Sequence, residues 1–342
     1  MSASSSAVQT ALRYLPLPAV GREPHSTSEL VARLGQLRKT LRPTPHVPLA
    51  VKGMDLFAKL EFVNPVGSIK DRSAYWILKR AAERGEICDR TTVIESSSGN
   101  FANALATFTH MVGLKFIPVI DPNVSGASES FLRRICPNVV KVTERDDTGG
   151  FLKTRLQMVK HLCATTEDAY WTDQYGNPDA AEAHYELTAP EICGDFDSLD
   201  YAFIGVGTAG TIAGLSRRLT ERYPRIHIIA VDSEGSVIFG GPPRKRHIPG
   251  IGSSIVPKLL AQARIDDVVL IPERETAEAC AELLTTHGLF VGGSSGTAFA
   301  AVKRYASKMT GVRRPTALFL CPDRGMPYLD TVFDSKWTTR LE

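Results

Sequence analysis

The 342-residue chain lacks several features that would assign a protein to a class at once. It has no run of about 18 apolar residues, so a membrane span is not expected. Its formal net charge is only +3, without a long run of one sign, which argues against nucleic acid as a partner. Its first residues are not a basic start followed by an apolar stretch, so a secretory signal is not expected.

The cysteine pattern is also uninformative for disulfides and metals. The six cysteines form no C-x-x-C pair, and none lies near a histidine at metal-ligand spacing. They are interpreted as free thiols of a reducing compartment, so a cytoplasmic location without a bound metal is expected. The P-loop pattern and an early G-x-G-x-x-G are missing as well, which disfavours an NAD-dependent oxidoreductase.

What the chain does contain is an alternation of apolar, β-branched segments with segments of helical spacing. The apolar segments lack the polar alternation of half-exposed strands, which favours strands covered on both faces. Strands are predicted at 92–94, 115–120, 138–142, 201–206, 226–231, 267–271 and 316–320, and helices at 27–41, 102–111, 128–135 and 277–287. This order predicts an α/β fold with parallel sheets, in which ligands bind beyond the carboxyl ends of strands.

Lys70 lies at the end of the segment Asn64-Pro-Val-Gly-Ser-Ile and in the first turn of a predicted helix. The positive end of a helix dipole disfavours an ammonium group there. A partly buried lysine in such a place is a candidate for Schiff-base formation. Considered alone, however, an ordinary surface lysine is the more frequent explanation.

Three other strand-to-helix loops are rich in small and polar residues. Residues 95–100 (Glu-Ser-Ser-Ser-Gly-Asn) hold more capping groups than one helix needs, which suits a bound carboxylate. Residues 205–211 are glycine-rich and suit a phosphate at the following helix start. Residues 291–296 include Ser294, whose hydroxyl could bond a heteroaromatic nitrogen, although a plain helix start is the alternative.

In this order the four loops resemble those of the fold-type II pyridoxal phosphate (PLP) enzymes of the cysteine synthase family, from about Thr44 to Thr331. The resemblance implies an α/β protein with two parallel-sheet domains of the tryptophan synthase β-like kind and PLP in the cleft between them. Residues 1–63 and 178–342 would form the large, phosphate-binding domain. Residues 64–177 would form a small mobile domain that carries Lys70. A homodimer acting on small amino-acid substrates is also implied.

The resemblance implies a role for each loop. Lys70 would carry PLP as a Schiff base and move protons at the substrate Cα. Asn100 would contact the 3′-oxygen of the cofactor, and Ser294 would contact its pyridine nitrogen, which favours β-elimination over transamination. The cofactor phosphate would be bound by Gly207, Thr208, Ala209, Gly210 and Thr211. The substrate would be contacted by Ser97, Ser98, Phe101, Gln174 and Arg324.

The stretches 148–155, 168–175, 230–240 and 321–325 resemble one branch of the family, the SbnA-type N-(2-amino-2-carboxyethyl)-L-glutamate synthases of siderophore pathways. That branch implies β-replacement on an activated L-serine, with O-phospho-L-serine favoured. The amino group of L-glutamate would add to an aminoacrylate, and the product would serve the synthesis of 2,3-diaminopropionate for a siderophore or an antibiotic.

Several residues depart from the patterns of related enzymes. Phe101 replaces a small polar residue of the cysteine synthases and Arg324 replaces their serine, which disfavours sulfide as the second substrate. Gly207 stands where the siderophore branch can carry a serine. The alternatives are therefore a synthase of cysteine, cysteate or another β-substituted alanine, and a regulatory or binding protein on the same scaffold.

Overall fold

A computed structural model describes residues 27–147, 149–309 and 314–341 of the chain. The strands are β1 (His46–Leu49), β2 (Asp55–Leu60), β3 (Thr92–Ser96), β4 (Lys115–Ile120), β5 (Val140–Lys141), β6 (Ala169–Trp171), β7 (Tyr201–Gly205), β8 (His227–Ser233), β9 (Asp267–Ile271) and β10 (Thr316–Cys321). The helices are α1 (Thr27–Arg38), α2 (Lys70–Glu83), α3 (Asn100–Val112), α4 (Gly126–Ile135), α5 (Leu152–Thr165), α6 (Pro178–Ala183), α7 (Ala189–Asp195), α8 (Gly210–Arg222), α9 (Glu273–His287), α10 (Gly293–Tyr305) and α11 (Ser335–Thr338).

The strands form two sheets. One has six strands in the order β1-β2-β10-β7-β8-β9, and only its β1–β2 pair is antiparallel. The other has four parallel strands in the order β5-β4-β3-β6. The predicted α/β fold with two parallel sheets is therefore confirmed.

Several of the strands predicted from apolar runs are buried along most of their length. The strands β3, β8 and β10 are covered almost throughout, so their sequences show no polar alternation. The predicted strand at 138–142 is shorter, since only Val140–Lys141 pairs. The strands β1, β2 and β6 were missed: β2 carries the buried charge of Lys59, and β6 is a half-buried strand of three residues.

Helix α1 packs on the helices that flank the four-stranded sheet. Its Leu34 shares a hydrophobic core with Tyr75 of α2 and Phe108 of α3, and its Arg33 forms an ion pair with Asp89. The resemblance had implied that residues 1–63 belong to the large, phosphate-binding domain. The domain boundaries at 64 and 178 stay a prediction.

A buried network of charges fixes the start of α2. The Arg72 guanidinium donates to Glu61 (Nε–Oε2, 2.7 Å) and to Glu191 of α7 (Nη1–Oε1, 2.6 Å). Lys59 of β2 donates to the same Glu191 carboxylate at 2.8 Å. Burial opposes ionisation of Glu61, but the charges of Arg72 and Lys59 outweigh it and lower the pKa of Glu61 to about 2. The first turn of α2 is thereby attached to β2 and α7.

Three further properties concern the part of the chain that the structure describes. None of its helices combines the length and apolar character needed to cross a membrane. Its His, Cys, Asp and Glu side chains form no group of three or more that could bind a metal ion. All six cysteines are free thiols.

Candidate active site

A cavity lies at the carboxyl ends of three neighbouring strands, β2, β10 and β7. The segment after each strand contributes one wall: Lys70 follows β2, Asp323 follows β10 and Thr208 follows β7. The start of α3 adds Asn100, and the start of α10 adds Ser294. Because these strands lie side by side, the topology alone brings residues that are 253 positions apart in sequence (70 to 323) into one site.

Lys70 is the first residue of α2. Its side chain contacts the glycine-rich loop at 205–211, which we call the phosphate-loop candidate. Its Nζ donates to Thr208 Oγ1 at 3.3 Å, and no carboxylate in the described structure forms an ion pair with it. Burial without a compensating negative charge lowers the pKa of Lys70 to about 8. The neutral amine is the nucleophilic form, so this environment prepares Lys70 to react with an aldehyde.

The loop between β7 and α8 has the shape of an anion site. Ala209 adopts a left-handed conformation (φ 64°), which an L-residue rarely takes outside functional loops. A Cβ on Gly207 would lie 3.1 Å from the backbone oxygen of Gly250, so a larger residue would press on that neighbouring loop. The first N–H groups of α8 have no partner within the helix and favour a bound anion.

Four of the five predicted phosphate residues line the cavity: Gly207, Thr208, Ala209 and Thr211. Gly210 instead packs on α6, where an added Cβ would lie 3.2 Å from the Ala180 backbone oxygen.

Asn100 is held by a carboxylate that the sequence did not single out. Its Nδ2 donates to Asp323 Oδ2 at 2.7 Å, and the Tyr328 hydroxyl donates to the same oxygen at 2.6 Å. Burial raises the pKa of Asp323 above its ordinary value, although these two hydrogen bonds oppose the rise. In the sequence, this region was noted only as part of the stretch 321–325 that carries the family resemblance. Arg324, and not Asp323, was predicted there as a site residue.

His184 is a buried residue that contacts the phosphate-loop candidate through Thr211. Its Nε2 lies 3.1 Å from Ser73 Oγ of α2 and 3.3 Å from Thr211 Oγ1, and its Nδ1 lies 2.9 Å from Thr188 Oγ1. Burial lowers the pKa of His184 to about 3, so the ring is neutral at physiological pH. Its place between α2 and α8 gives it a packing and hydrogen-bonding function.

The predicted carboxylate-binding residues lie at the carboxyl ends of β3 and β6, outside the lining of this cavity. Ser97 is buried and Ser98 half-buried in the loop between β3 and α3. Gln174 follows β6, and its Nε2 donates to the Ser96 backbone oxygen at 3.1 Å. The structure thus brings Gln174 to the loop between β3 and α3 (residues 97–99), which we call the serine loop.

Glu95 forms hydrogen bonds with both of these segments. Its carboxylate accepts hydrogen bonds from Thr172 Oγ1 (2.5 Å), Ser96 N (2.7 Å) and Gln174 N (3.2 Å). Burial raises the pKa of Glu95 to about 7, against the opposing effect of these hydrogen bonds. The arrangement of the serine loop is therefore coupled to a group that titrates near neutrality.

The structure does not bring the other two predicted substrate residues to the cavity. Phe101 is 2% exposed and packs in the largest hydrophobic core, so it has a packing role there. Arg324 is exposed, lies over the Phe62 ring and donates to the Phe62 backbone oxygen at 3.4 Å. The adjacent Asp323 carboxylate accepts hydrogen bonds from Asn100 and Tyr328 instead.

A family model for pyridoxal-phosphate dependent enzymes matches residues 37–322. The chain belongs to this family. Among curated proteins, this PLP-dependent enzyme is 42% identical over 304 residues to an N-(2-amino-2-carboxyethyl)-L-glutamate synthase of Ralstonia nicotianae, covering 87% of the chain and 89% of the relative. It is also 42% identical over 289 residues to a synthase of the same name from Cupriavidus metallidurans, covering 84% of the chain and 85% of the relative.

Solved structures agree with the fold of this PLP-dependent enzyme. An O-acetylserine-dependent cystathionine β-synthase from Helicobacter pylori superposes with a TM-score of 0.80 at 31% identity, covering 86% of this chain and 97% of the other. An O-ureido-L-serine synthase superposes with a TM-score of 0.78 at 27% identity, covering 87% and 94%.

The residues that are present fit PLP as the cofactor of this enzyme. The lysine amine suits the aldehyde, and the strained Ala209 loop at the start of α8 suits the phosphate. Ser294 and Asn100 also line the cavity and offer polar groups to the ring. The cavity therefore has a chemically matched group for each end of the cofactor.

Proposed function

We propose that this PLP-dependent enzyme catalyses β-replacement on an activated L-serine, with O-phospho-L-serine favoured and the amino group of L-glutamate as the nucleophile. The product would be N-(2-amino-2-carboxyethyl)-L-glutamate, for 2,3-diaminopropionate and hence siderophore or antibiotic synthesis. The observation that carries the proposal is Lys70, a lysine of depressed pKa at a cavity shared with the anion-binding loop. The names of the two relatives at 42% identity support the choice of reaction.

Lys70 has two tasks in this proposal. Its Nζ holds the cofactor between catalytic cycles, and in its neutral form it takes the proton from the substrate Cα and later returns it. A pKa of about 8 lets the same amine accept and release a proton near neutrality. When bound, PLP supplies the electron sink that stabilises negative charge at Cα.

The other cavity residues would bind and orient. Gly207, Thr208, Ala209, Gly210 and Thr211 would hold the phosphate, Asn100 the 3′-oxygen side, and Ser294 the pyridine nitrogen. A neutral hydroxyl at that nitrogen moderates the electron sink, which favours elimination over transamination. Ser97, Ser98 and Gln174 would bind the substrate carboxylate. Arg324, exposed near the segment that lines the cavity, would attract the anionic substrates.

The quaternary and cellular setting extends this proposal. The enzyme would act as a homodimer in the cytoplasm, and the six free thiols agree with a reducing compartment. Residues 64–177 would contain the smaller, mobile domain, whose four-stranded sheet closes over the substrate carboxylate.

A second candidate reaction has specific support. The two solved structures named above carry the names of an O-acetylserine-dependent cystathionine β-synthase and an O-ureido-L-serine synthase. A synthase of cysteine, cysteate or another β-substituted alanine would use the same lysine and the same phosphate loop. Only the leaving group and the nucleophile would differ.

The test separates these candidates by product. The purified enzyme with PLP is mixed with O-phospho-L-serine or O-acetyl-L-serine, and then with L-glutamate, sulfide, sulfite or homocysteine. Mass spectrometry is expected to show the glutamate adduct, formed fastest with O-phospho-L-serine. A sulfur-containing amino acid as the main product would replace the proposal with the second candidate. No β-replacement product from any pair would refute both.

A further inference from the structure

Asp323 is a buried carboxylate on the cavity wall, and the proposed reaction assigns it no task. It is 4% exposed and lines the cavity together with Lys70, Asn100 and Ser294. One of its oxygens, Oδ2, accepts two hydrogen bonds, from Asn100 Nδ2 at 2.7 Å and from the Tyr328 hydroxyl at 2.6 Å. Its other oxygen, Oδ1, is buried and has no hydrogen-bond partner in the described structure.

The backbone around Asp323 joins the two other cavity segments. Ser68, two residues before Lys70, forms an antiparallel bridge with Asp323, and the Gly292 N–H donates to the Asp323 backbone oxygen at 3.0 Å. The carboxylate is therefore fixed relative to the starts of both α2 and α10.

The absence of a side chain at Gly292 leaves space for this carboxylate. A Cβ at position 292 would lie 2.0 Å from Asp323 Oδ1 and 2.6 Å from the Tyr328 ring. Real Cβ atoms do not approach other atoms so closely, so a side chain there would displace the carboxylate or the ring. The glycine just before α10 thus leaves room for Asp323 and Tyr328.

The hydrogen bond to Asp323 fixes which way the Asn100 amide faces. A carboxylate oxygen can only accept, so it selects the NH₂ group of Asn100 and turns the amide oxygen the other way. The NH₂ group retains a second N–H. A charge-assisted bond of this kind is stronger than a neutral one, and Tyr328 holds the accepting oxygen in place.

We propose that Asp323 is a positioning residue for the cofactor: held by Tyr328, it sets the orientation of the Asn100 amide at the cofactor ring. The inference rests on the proposed function, in which Asn100 contacts PLP. If Asp323 served only to stabilise the fold, its effect on cofactor binding would not depend on the presence of the Asn100 side chain, whereas a positioning residue acts through that amide.

The experiment is a double-mutant cycle on the holoenzyme, with the dissociation constant of PLP and the visible circular dichroism of the bound cofactor as readouts. The variants are Asp323→Asn, Asn100→Ala and the double variant. Asp323→Asn keeps the size of the side chain and removes its charge. The matched control is Asp330→Asn, the same chemical change at an exposed position in the same segment.

Asp323→Asn is expected to weaken PLP binding about tenfold, the effect of losing a hydrogen bond to a charged group, and to reduce the visible dichroism. In the Asn100→Ala background the same change is expected to alter the dissociation constant less than about twofold, since the two residues act as one unit. Asp330→Asn is expected to match the wild type.

Two results would overturn the inference: wild-type PLP binding in Asp323→Asn, or effects of Asp323→Asn and Asn100→Ala that multiply in the double variant. If Asp323→Asn does not fold, Tyr328→Phe takes its place in the cycle, with about three- to tenfold weaker binding expected. A wild-type protein that forms no visible band with PLP would instead refute the proposed function, so the two failures are distinguishable.

Discussion

The two sides of the proposed active site are held together in different ways. On the cofactor side, hydrogen bonds join separate strand-end segments: Lys70 to Thr208, and Asn100 to Asp323. On the substrate side, the bonds of Glu95 connect the ends of β3 and β6 within one sheet. The cofactor side is thus built from contacts between separate elements, whereas the contacts of Glu95 join two strand ends of a single sheet.

The largest effect is expected from Lys70→Ala, which removes the reactive group of the cofactor side. The rate of β-replacement should fall by at least about 10³-fold, because Lys70 is the only lysine among the described residues that line the cavity. Borohydride reduction followed by peptide mass spectrometry should find no cofactor on residue 70. Lys52→Ala, at an exposed lysine, is the control and should keep wild-type activity. Full activity of Lys70→Ala would show that the reaction centre lies elsewhere.

Removal of Arg72 tests how firmly the start of α2 is fixed. Arg72→Ala leaves Glu61 and Glu191 without their main partner, and breaking a buried pair lowers the free energy of unfolding by about 3–5 kcal/mol. Urea denaturation measures the change. Arg80→Ala on the same helix, which breaks a surface pair with Glu83, should cost no more than about 1 kcal/mol. Equal costs for the two variants would contradict the anchoring role of the buried network.

Glu95 gives the substrate side a pH dependence. Because its pKa is raised to about 7, the folded state holds an extra proton between about pH 4.5 and 7, and stability falls as pH rises through this interval. The unfolding free energy of the wild type minus that of Glu95→Gln should decrease by on the order of 2–3 kcal/mol from pH 4.5 to 8. Chemical denaturation at several pH values checks this. The exposed Glu167→Gln is the control, and a flat difference for Glu95→Gln would disprove the prediction.

The smallest effect is expected from Arg324→Ala. As an exposed side chain, Arg324 should change the free energy of unfolding by less than about 0.5 kcal/mol. If it attracts anionic substrates, kcat/KM should fall roughly two- to fivefold at low ionic strength and recover at high salt. Steady-state kinetics over a salt series measures this. A decrease that salt does not change would point to a direct contact instead.

The sequence was sufficient to predict features whose residues all lie in one continuous segment. The strand at 201–205 and the small residues after it are contiguous, so both the strand and the anion loop were predictable. The place of Lys70 at a helix start was predictable for the same reason. Its depressed pKa was expected only in direction, because the amount of burial depends on the whole fold.

The features that were missed depend on distant partners. The role of Asp323 depends on its hydrogen bond with Asn100, 223 positions away. That of Lys59 depends on its ion pair with Glu191, 132 positions away. Neither Asp323 nor Lys59 stands out in the sequence of its own segment. Phe101, which the resemblance placed beside the substrate, packs in the core from the first turn of α3, and its contact with the substrate stays a prediction.

The network around Arg72 has a consequence for how the enzyme could open and close. The four-stranded sheet begins only at Thr92, whereas the start of α2 is attached through Glu61 and Glu191 to elements beside the six-stranded sheet. We therefore expect the first turn of α2, and Lys70 with it, to keep its position relative to Glu61 and Glu191. Lys70 and the loop at 205–211 would then keep their mutual distance throughout the catalytic cycle.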